Sequence, residues 1–329
     1  MKNIKTRLTI TAGACALASS VSASMGIATS YVGDMNNTAD GGYGGVSYNY
    51  HVGTHEVTNS QYVSFLNAKG STNANEVYNS NMNSSAYGGI EQLDASGGSS
   101  DPTAPFTYRV KAGMGQKPVN FVTFWDAARF TNWLTNGQGS GDTENGMYDL
   151  TAGGISGNTV TRNATEWSAG GVAVASEDEW YKAAYYKGGS TNAGYWDYAH
   201  QSDSIRTADA NYQNSVGGGT LTDVGTYSDA ASSYGTFDQG GNVWEWNDDI
   251  ILALDPSDSN RGVRGGAFDD RGSDLQPWHR YSAPVGDGND LGFRVSSLAP
   301  IPEPSSYAAM FGCLALTVVT MRRKGRRTL

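Results

Sequence analysis

The sequence predicts an α+β domain with little regular secondary structure, and three observations carry that prediction. Glycine supplies 43 of the 329 residues, roughly double the usual frequency of about 7%, so much of the chain must be turn and loop. Charged side chains make up only 16% of it, which leaves a polar but largely uncharged chain. Helix-start signals and short strand-like runs beside glycines are scattered along its length.

Taken in order, the first strand-like run is 48–52. A helix then opens at Thr58, whose hydroxyl can bond the backbone three residues on while Gln61 bonds back. Tyr62, Phe65 and Leu66 form its buried stripe. Residues 69–103 are dominated by Ser, Asn, Gly and Ala and are expected to be a long surface loop. Thr123 with Asp126 opens a second helix that turns Ala127, Phe130 and Leu134 inward. Residues 136–172 read as another polar loop. Ser176 with Glu179 opens a third helix presenting Trp180, Ala183 and Ala184, and further strand-like runs follow at 263–268 and 292–295.

Both ends read as addresses. Residues 1–23 have the form of a secretory signal peptide: Lys2, Lys5 and Arg7, an apolar run from Leu8 to Leu17, and Val21-Ser22-Ala23 as a cleavage site. Residues 24–44 lead into a domain at 45–297, and residues 301–327 form a second signal. There Pro302, Glu303 and Pro304 precede an apolar stretch ending near Met321, then Arg322, Arg323, Lys324, Arg326 and Arg327. At about 15 residues the stretch would span roughly 22 Å as a helix, short of a normal crossing but enough for transient membrane contact. This tail resembles the PEP-CTERM sorting signal of Gram-negative bacteria. The resemblance implies export to the cell surface, outer envelope or extracellular matrix, and processing by an exosortase-type protease.

Three of the 22 basic residues lie in the first signal and five in the tail, against one of the 32 acids, so residues 24–302 carry 14 basic and 31 acidic side chains. A body of net charge −17 is an unsuitable partner for nucleic acid. Both cysteines, Cys15 and Cys313, fall in the end segments, so the body can form no disulfide and offers no thiolate.

Seven blocks follow one another along the body: His55-Glu56-Val57-Thr58-Asn59-Ser60-Gln61-Tyr62, Phe124-Trp125-Asp126-Ala127-Ala128 after Pro118-Val119, Ser176-Glu177-Asp178-Glu179-Trp180, Tyr234-Gly235-Thr236-Phe237-Asp238, Gly241-Asn242-Val243-Trp244-Glu245-Trp246, Arg264-Gly265-Gly266-Ala267-Phe268 and Leu291-Gly292-Phe293-Arg294. Each alone is weak, but the order is specific. Over about residues 45–297 the chain resembles the formylglycine-generating enzyme, or sulfatase-modifying factor, family. The resemblance implies a loop-rich variant of the C-type lectin fold.

Calcium prefers hard oxygen ligands, and Asp238, two intervening carbonyls and Glu245 are close enough in sequence to wrap one ion. The resemblance implies the side chains of Asp238 and Glu245 and the carbonyls of Gly241 and Val243. The alternative is that Trp244 and Trp246 are core and Glu245 is a satisfied turn carboxylate that binds no ion. A second calcium site of the family maps weakly to Asn211 and Tyr212, with Val216 where an Asp is needed.

The family's two catalytic cysteines correspond to Asp270 and Leu275. Soft thiolates select copper(I), so no copper and no formylglycine chemistry is expected. A three-histidine iron site, as in related sulfoxide synthases, is not expected either, since His51 and His55 would stand about 13 Å apart on a strand. Asp269, Asp270, Arg271, His279 and Arg280 cluster in sequence where the family's cleft would be. They make either a polar-ligand site or a solvated loop of internal ion pairs. The expected function is binding or a structural role, with a divergent oxidase or hydrolase as the alternative. A third reading, polysaccharide binding, depends on whether Trp196, Tyr198 and Trp278 are exposed together.

Overall fold

The computed structural model describes residues 25–73, 75–94, 105–152, 154, 159–252, 259–283 and 288–301. The expected signal peptide and the Pro302, Glu303, Pro304 tail lie outside the described residues. Among the described residues no helix is long and apolar enough to cross a membrane.

All three expected helices form, each with its reciprocal capping box: α1 (Asn59–Lys69), α3 (Phe124–Thr135) and α5 (Glu177–Tyr185). In each, the cap hydroxyl accepts the N–H three residues on and that residue's side chain accepts the cap's own N–H. Loss of one such cap costs about 1 kcal/mol. The two polar stretches are not wholly loop. They contain the short helices α2 (Asn81–Ser84) and α4 (Ala164–Ser168) and the strand β3 (Ile90–Asp94), which pairs with β4 (Phe106–Val110). These elements bury few apolar side chains, so no periodicity announced them.

The remaining strands build two four-stranded sheets. The first has the order β1 (Thr29–Val32), β2 (Tyr50–Gly53), β10 (Val295–Ser297), β5 (Val172–Val174), all antiparallel. The second has the order β8 (Tyr281–Ala283), β7 (Ser259–Arg264), β6 (Trp244–Leu252), β9 (Leu291–Phe293), with β6 and β9 parallel. Two expectations change in detail. The run at 263–268 ends as a strand at Arg264, because Gly265 and Gly266 take φ of 102° and 73°, a left-handed turn that only glycine makes freely. The run at 292–295 is two strands in different sheets, with Arg294 as the single residue between them.

The main core packs α1 and α3 against both sheets through Tyr62, Phe65, Phe130, Trp133, Trp246 and Phe293. A second cluster gathers Trp180, Tyr181 and Tyr185 of α5 against Val32, Tyr50 and Val52. Arg261, Arg264 and Arg294 are among the largest side chains buried in full. A buried cation must be paired and hydrogen-bonded, so these arginines mark where loops are tied to sheets.

Candidate functional site

Arg294 stands at the joint between the two sheets, and its donors reach β2, β6 and the loop at Phe237. Nη1 donates to the Gly53 carbonyl at the end of β2 at 2.9 Å, and Nη2 to the Phe237 carbonyl at 3.0 Å. Nε and Nη2 clamp the Glu245 carboxylate of β6 at 2.5 and 2.6 Å. The Trp180 indole N–H donates to the same carboxylate at 2.7 Å. Glu245 is fully buried, so a two-pronged arginine and one indole satisfy it without water.

Two further carboxyls converge on this hub. Asp238 accepts the Gly225 N–H at 2.6 Å, and burial pushes its carboxyl up to about 6, with Glu245 adding and Arg294 opposing. Glu56 accepts from Asn242 through one oxygen, while its other, 4.0 Å from Arg294, has no hydrogen-bond partner. Burial, reinforced by Asp238 and Glu245, pushes Glu56 well above the usual carboxylate range. The complete ion pair of the hub is Arg294 with Glu245.

Two members of the expected calcium set belong to this hub. Asp238 and Glu245 do come together, but around a guanidinium. Both Glu245 oxygens already accept from protein donors, and the charge that calcium would bring is supplied by Arg294. Within the Asp238, Gly241, Val243, Glu245 set the Glu245 carboxylate is thus engaged by protein donors, in keeping with the alternative of a satisfied carboxylate among core tryptophans. At the second, weaker set the Asn211 amide donates to Thr220 and Asn242, its backbone carbonyl accepts from Asn242, and the Tyr212 carbonyl accepts from Ser215. Only the buried Asn211 side-chain oxygen is left without a partner there.

The two positions matched to the family cysteines are built into the fold. One Asp270 oxygen accepts the Ala267 N–H at 2.8 Å and closes the turn after Gly266. Leu275, at the end of a 3-10 turn (Gly272–Leu275), is fully buried with Tyr198, Ala210 and Tyr212. A small space beside it, lined also by Tyr198, His200 and Asp238, has a volume of about 20 Å³, room for about one water. A carboxylate and a hydrocarbon do not fit copper(I), which needs soft ligands.

The five charged residues named for the cleft divide between separate partners and exposed positions. Arg280 forms a two-pronged bridge to Glu177 at 2.6 and 2.5 Å, and Arg264 holds the same carboxylate at 2.7 Å. His279 lies 3.4 Å from Asp274, Asp270 faces Ala267, and Asp269 and Arg271 are exposed. Of the aromatic trio, Trp196 and Trp278 line one cleft, whereas Tyr198 is buried beside Leu275. Sequence reasoning missed Glu56, Glu177, Arg264 and Arg294 as partners, although all four stand inside the quoted blocks. A charged residue set between glycines and large apolar side chains was the available signal.

The Sulfatase-modifying factor enzyme 1-like domain family matches residues 43–298. Treponema denticola variable protein 1 shares 18% identity and a TM-score of 0.52, covering 82% of this chain and 95% of its own. The crystal structure of CarF shares 18% identity and a TM-score of 0.53, covering 84% and 99%. None of the curated proteins matches the chain. At these identities the likeness shows the fold. With the family match spanning more than three-quarters of its length, the chain belongs to the sulfatase-modifying factor family and has its formylglycine-generating-enzyme-like variant of the C-type lectin fold.

Proposed function

We propose that this chain is an exported member of the family that works by binding rather than by cysteine oxidation. The observation that carries the reading is Leu275. Its side chain is a fully buried hydrocarbon with no reactive group, and the small space beside it has room for about one water. Asp270 is committed to its turn, and His279 and Arg280 are paired elsewhere, which leaves no convergent acid, base or nucleophile among them. The cysteine-free, acidic body between two address-like ends supports export, with the tail as the substrate of an exosortase-type protease.

Incubating the purified full chain with copper(I), oxygen and a cysteine-containing sulfatase-type peptide tests this reading by mass spectrometry. Unmodified peptide is the expected result. Formylglycine in the peptide would overturn it. For export, peptide mapping of the secreted protein should begin at Ser24 and stop near Tyr307, and full-length protein retained in the cytoplasm would contradict it.

A further inference from the structure

The cleft that holds Trp196 and Trp278 has a volume of about 400 Å³ and is walled chiefly by Tyr43, Tyr181, Tyr195, Trp196 and Trp278, with Asp40 and Asp197 at its edge. That volume falls in the range of small-ligand clefts. Its walls come from three distant segments that the fold brings together. The turn at Asp40 and Tyr43 closes on itself through paired backbone bonds of 2.9 Å. Gly44 follows with φ of 76°, and a Cβ there would come within 2.7 Å of the Tyr181 ring. Only glycine lets this turn lie against the tyrosines.

The rings are held in place before any ligand arrives. Tyr181 donates its hydroxyl to Asp40 at 2.8 Å, and Tyr195 donates to the Thr38 carbonyl at 2.9 Å while accepting from Asn37. Tyr181 also packs edge-on against Tyr195, with centroids 5.4 Å apart. Rigid rings lose little entropy on binding. At the rim Trp278 is 64% exposed, an indole that packing alone does not explain. The buried Trp196 indole N–H has no acceptor among the described residues.

Aromatic rings beside carboxylates suit two kinds of ligand, an organic cation or a hydroxylated ring. The resident cations decide between them. Arg264 sits 4.7 Å from the Tyr43 ring and 4.9 Å from Tyr181, Arg280 is 5.4 Å from Tyr43, and Lys187 is 4.3 Å from Trp196. The attraction of those faces for positive charge is already used by the chain's own side chains, which would repel an incoming cation. A purely apolar ligand would strip water from Asp40 and Asp197 without repaying it. A neutral sugar ring offers apolar C–H faces to the indoles and hydroxyl donors to the carboxylates.

We infer that this cleft binds a neutral saccharide chain, stacked on Trp278 and hydrogen-bonded to Asp197. The inference rests on the binding reading above and names its ligand class. The test is a glycan array of neutral hexasaccharides probed with the full chain, followed by calorimetry of the hits, with tetramethylammonium as the cation probe. At least one neutral hexasaccharide should bind with Kd below about 1 mM. Trp278→Ala should weaken that binding at least about tenfold without changing the melting temperature, and Asp197→Asn should weaken it several-fold. No neutral saccharide bound, affinity unchanged in both variants, or tetramethylammonium competing for the cleft would each overturn the inference. Absence of sugar binding together with unmodified cysteine peptide removes this inference alone, whereas formylglycine formation removes the reading beneath it.

Discussion

Replacing Glu245 by Gln tests how the hub is held. The substitution keeps the shape of the side chain but removes the one carboxylate that faces Arg294 Nε, Arg294 Nη2 and the Trp180 N–H. Arg294 is then left fully buried with the Glu56 oxygen 4.0 Å away as its nearest acid. Breaking a buried pair on one side costs about 3–5 kcal/mol. For a domain of this size that corresponds to a fall in Tm of roughly 6–15 °C. Calorimetric melts of wild type and variant, each with calcium and with chelator, give four values. If calcium held the site, saturation at about 100 times Kd would add about 2.7 kcal/mol to the wild type only. The structure predicts a large drop from the substitution and the same Tm with calcium or chelator in both proteins. A wild type that melts several degrees lower in chelator, with a variant indifferent to it, would refute the reasoning.

Other outcomes follow from neighbouring parts of the fold. Glu179 is fully buried between two Arg162 bonds of 2.8 and 2.9 Å and the Ser176 and Ser296 donors. Burial alone would raise its carboxyl, but Arg162 and those donors hold it below 4.5. Its contribution is therefore present above pH 4.5 and lost as pH falls through the lower folded value. The stability gap between wild type and Glu179→Gln, read by urea unfolding, should be about 3–5 kcal/mol at pH 7 and shrink below pH 4.5; a gap independent of pH contradicts the pairing. Leu275→Ala should cost about 2–5 kcal/mol through the cavity it leaves, and a cost below about 1 kcal/mol would mean the side chain is not packed as described. Ser176→Ala should cost about 1 kcal/mol by loss of the α5 cap, measured by the same urea series.

Much of the helical architecture was legible because its signals are local. Thr58 with Gln61, Thr123 with Asp126 and Ser176 with Glu179 each lie three residues apart, and the capping box needs nothing from the rest of the chain. The strands were less legible. β1 carries little apolar patterning and exists because β2 pairs with it, while β9 and β10 read as one run until tertiary structure assigns them to different sheets. The site was legible as a set of blocks but not as a set of partners. Glu245 reads equally well as a calcium ligand or as the mate of an arginine 49 residues away, and only the joint between the sheets brings that arginine to it. Arg280 likewise seemed to belong with Asp270 and His279 nearby in sequence, yet pairs with Glu177, 103 residues distant.

The central claim is that Leu275, the position we match to a family cysteine, is packing and that the acidic hub is held by Arg294. A crystal structure of the full chain grown with calcium and copper(I) tests both halves at once through anomalous scattering. The account predicts Leu275 packed against Tyr198 and Tyr212, Arg294 clamped on Glu245, and no anomalous peak at either place. A calcium peak bound by Glu245, or a copper peak beside Asp270 with Leu275 turned out to solvent, would contradict it.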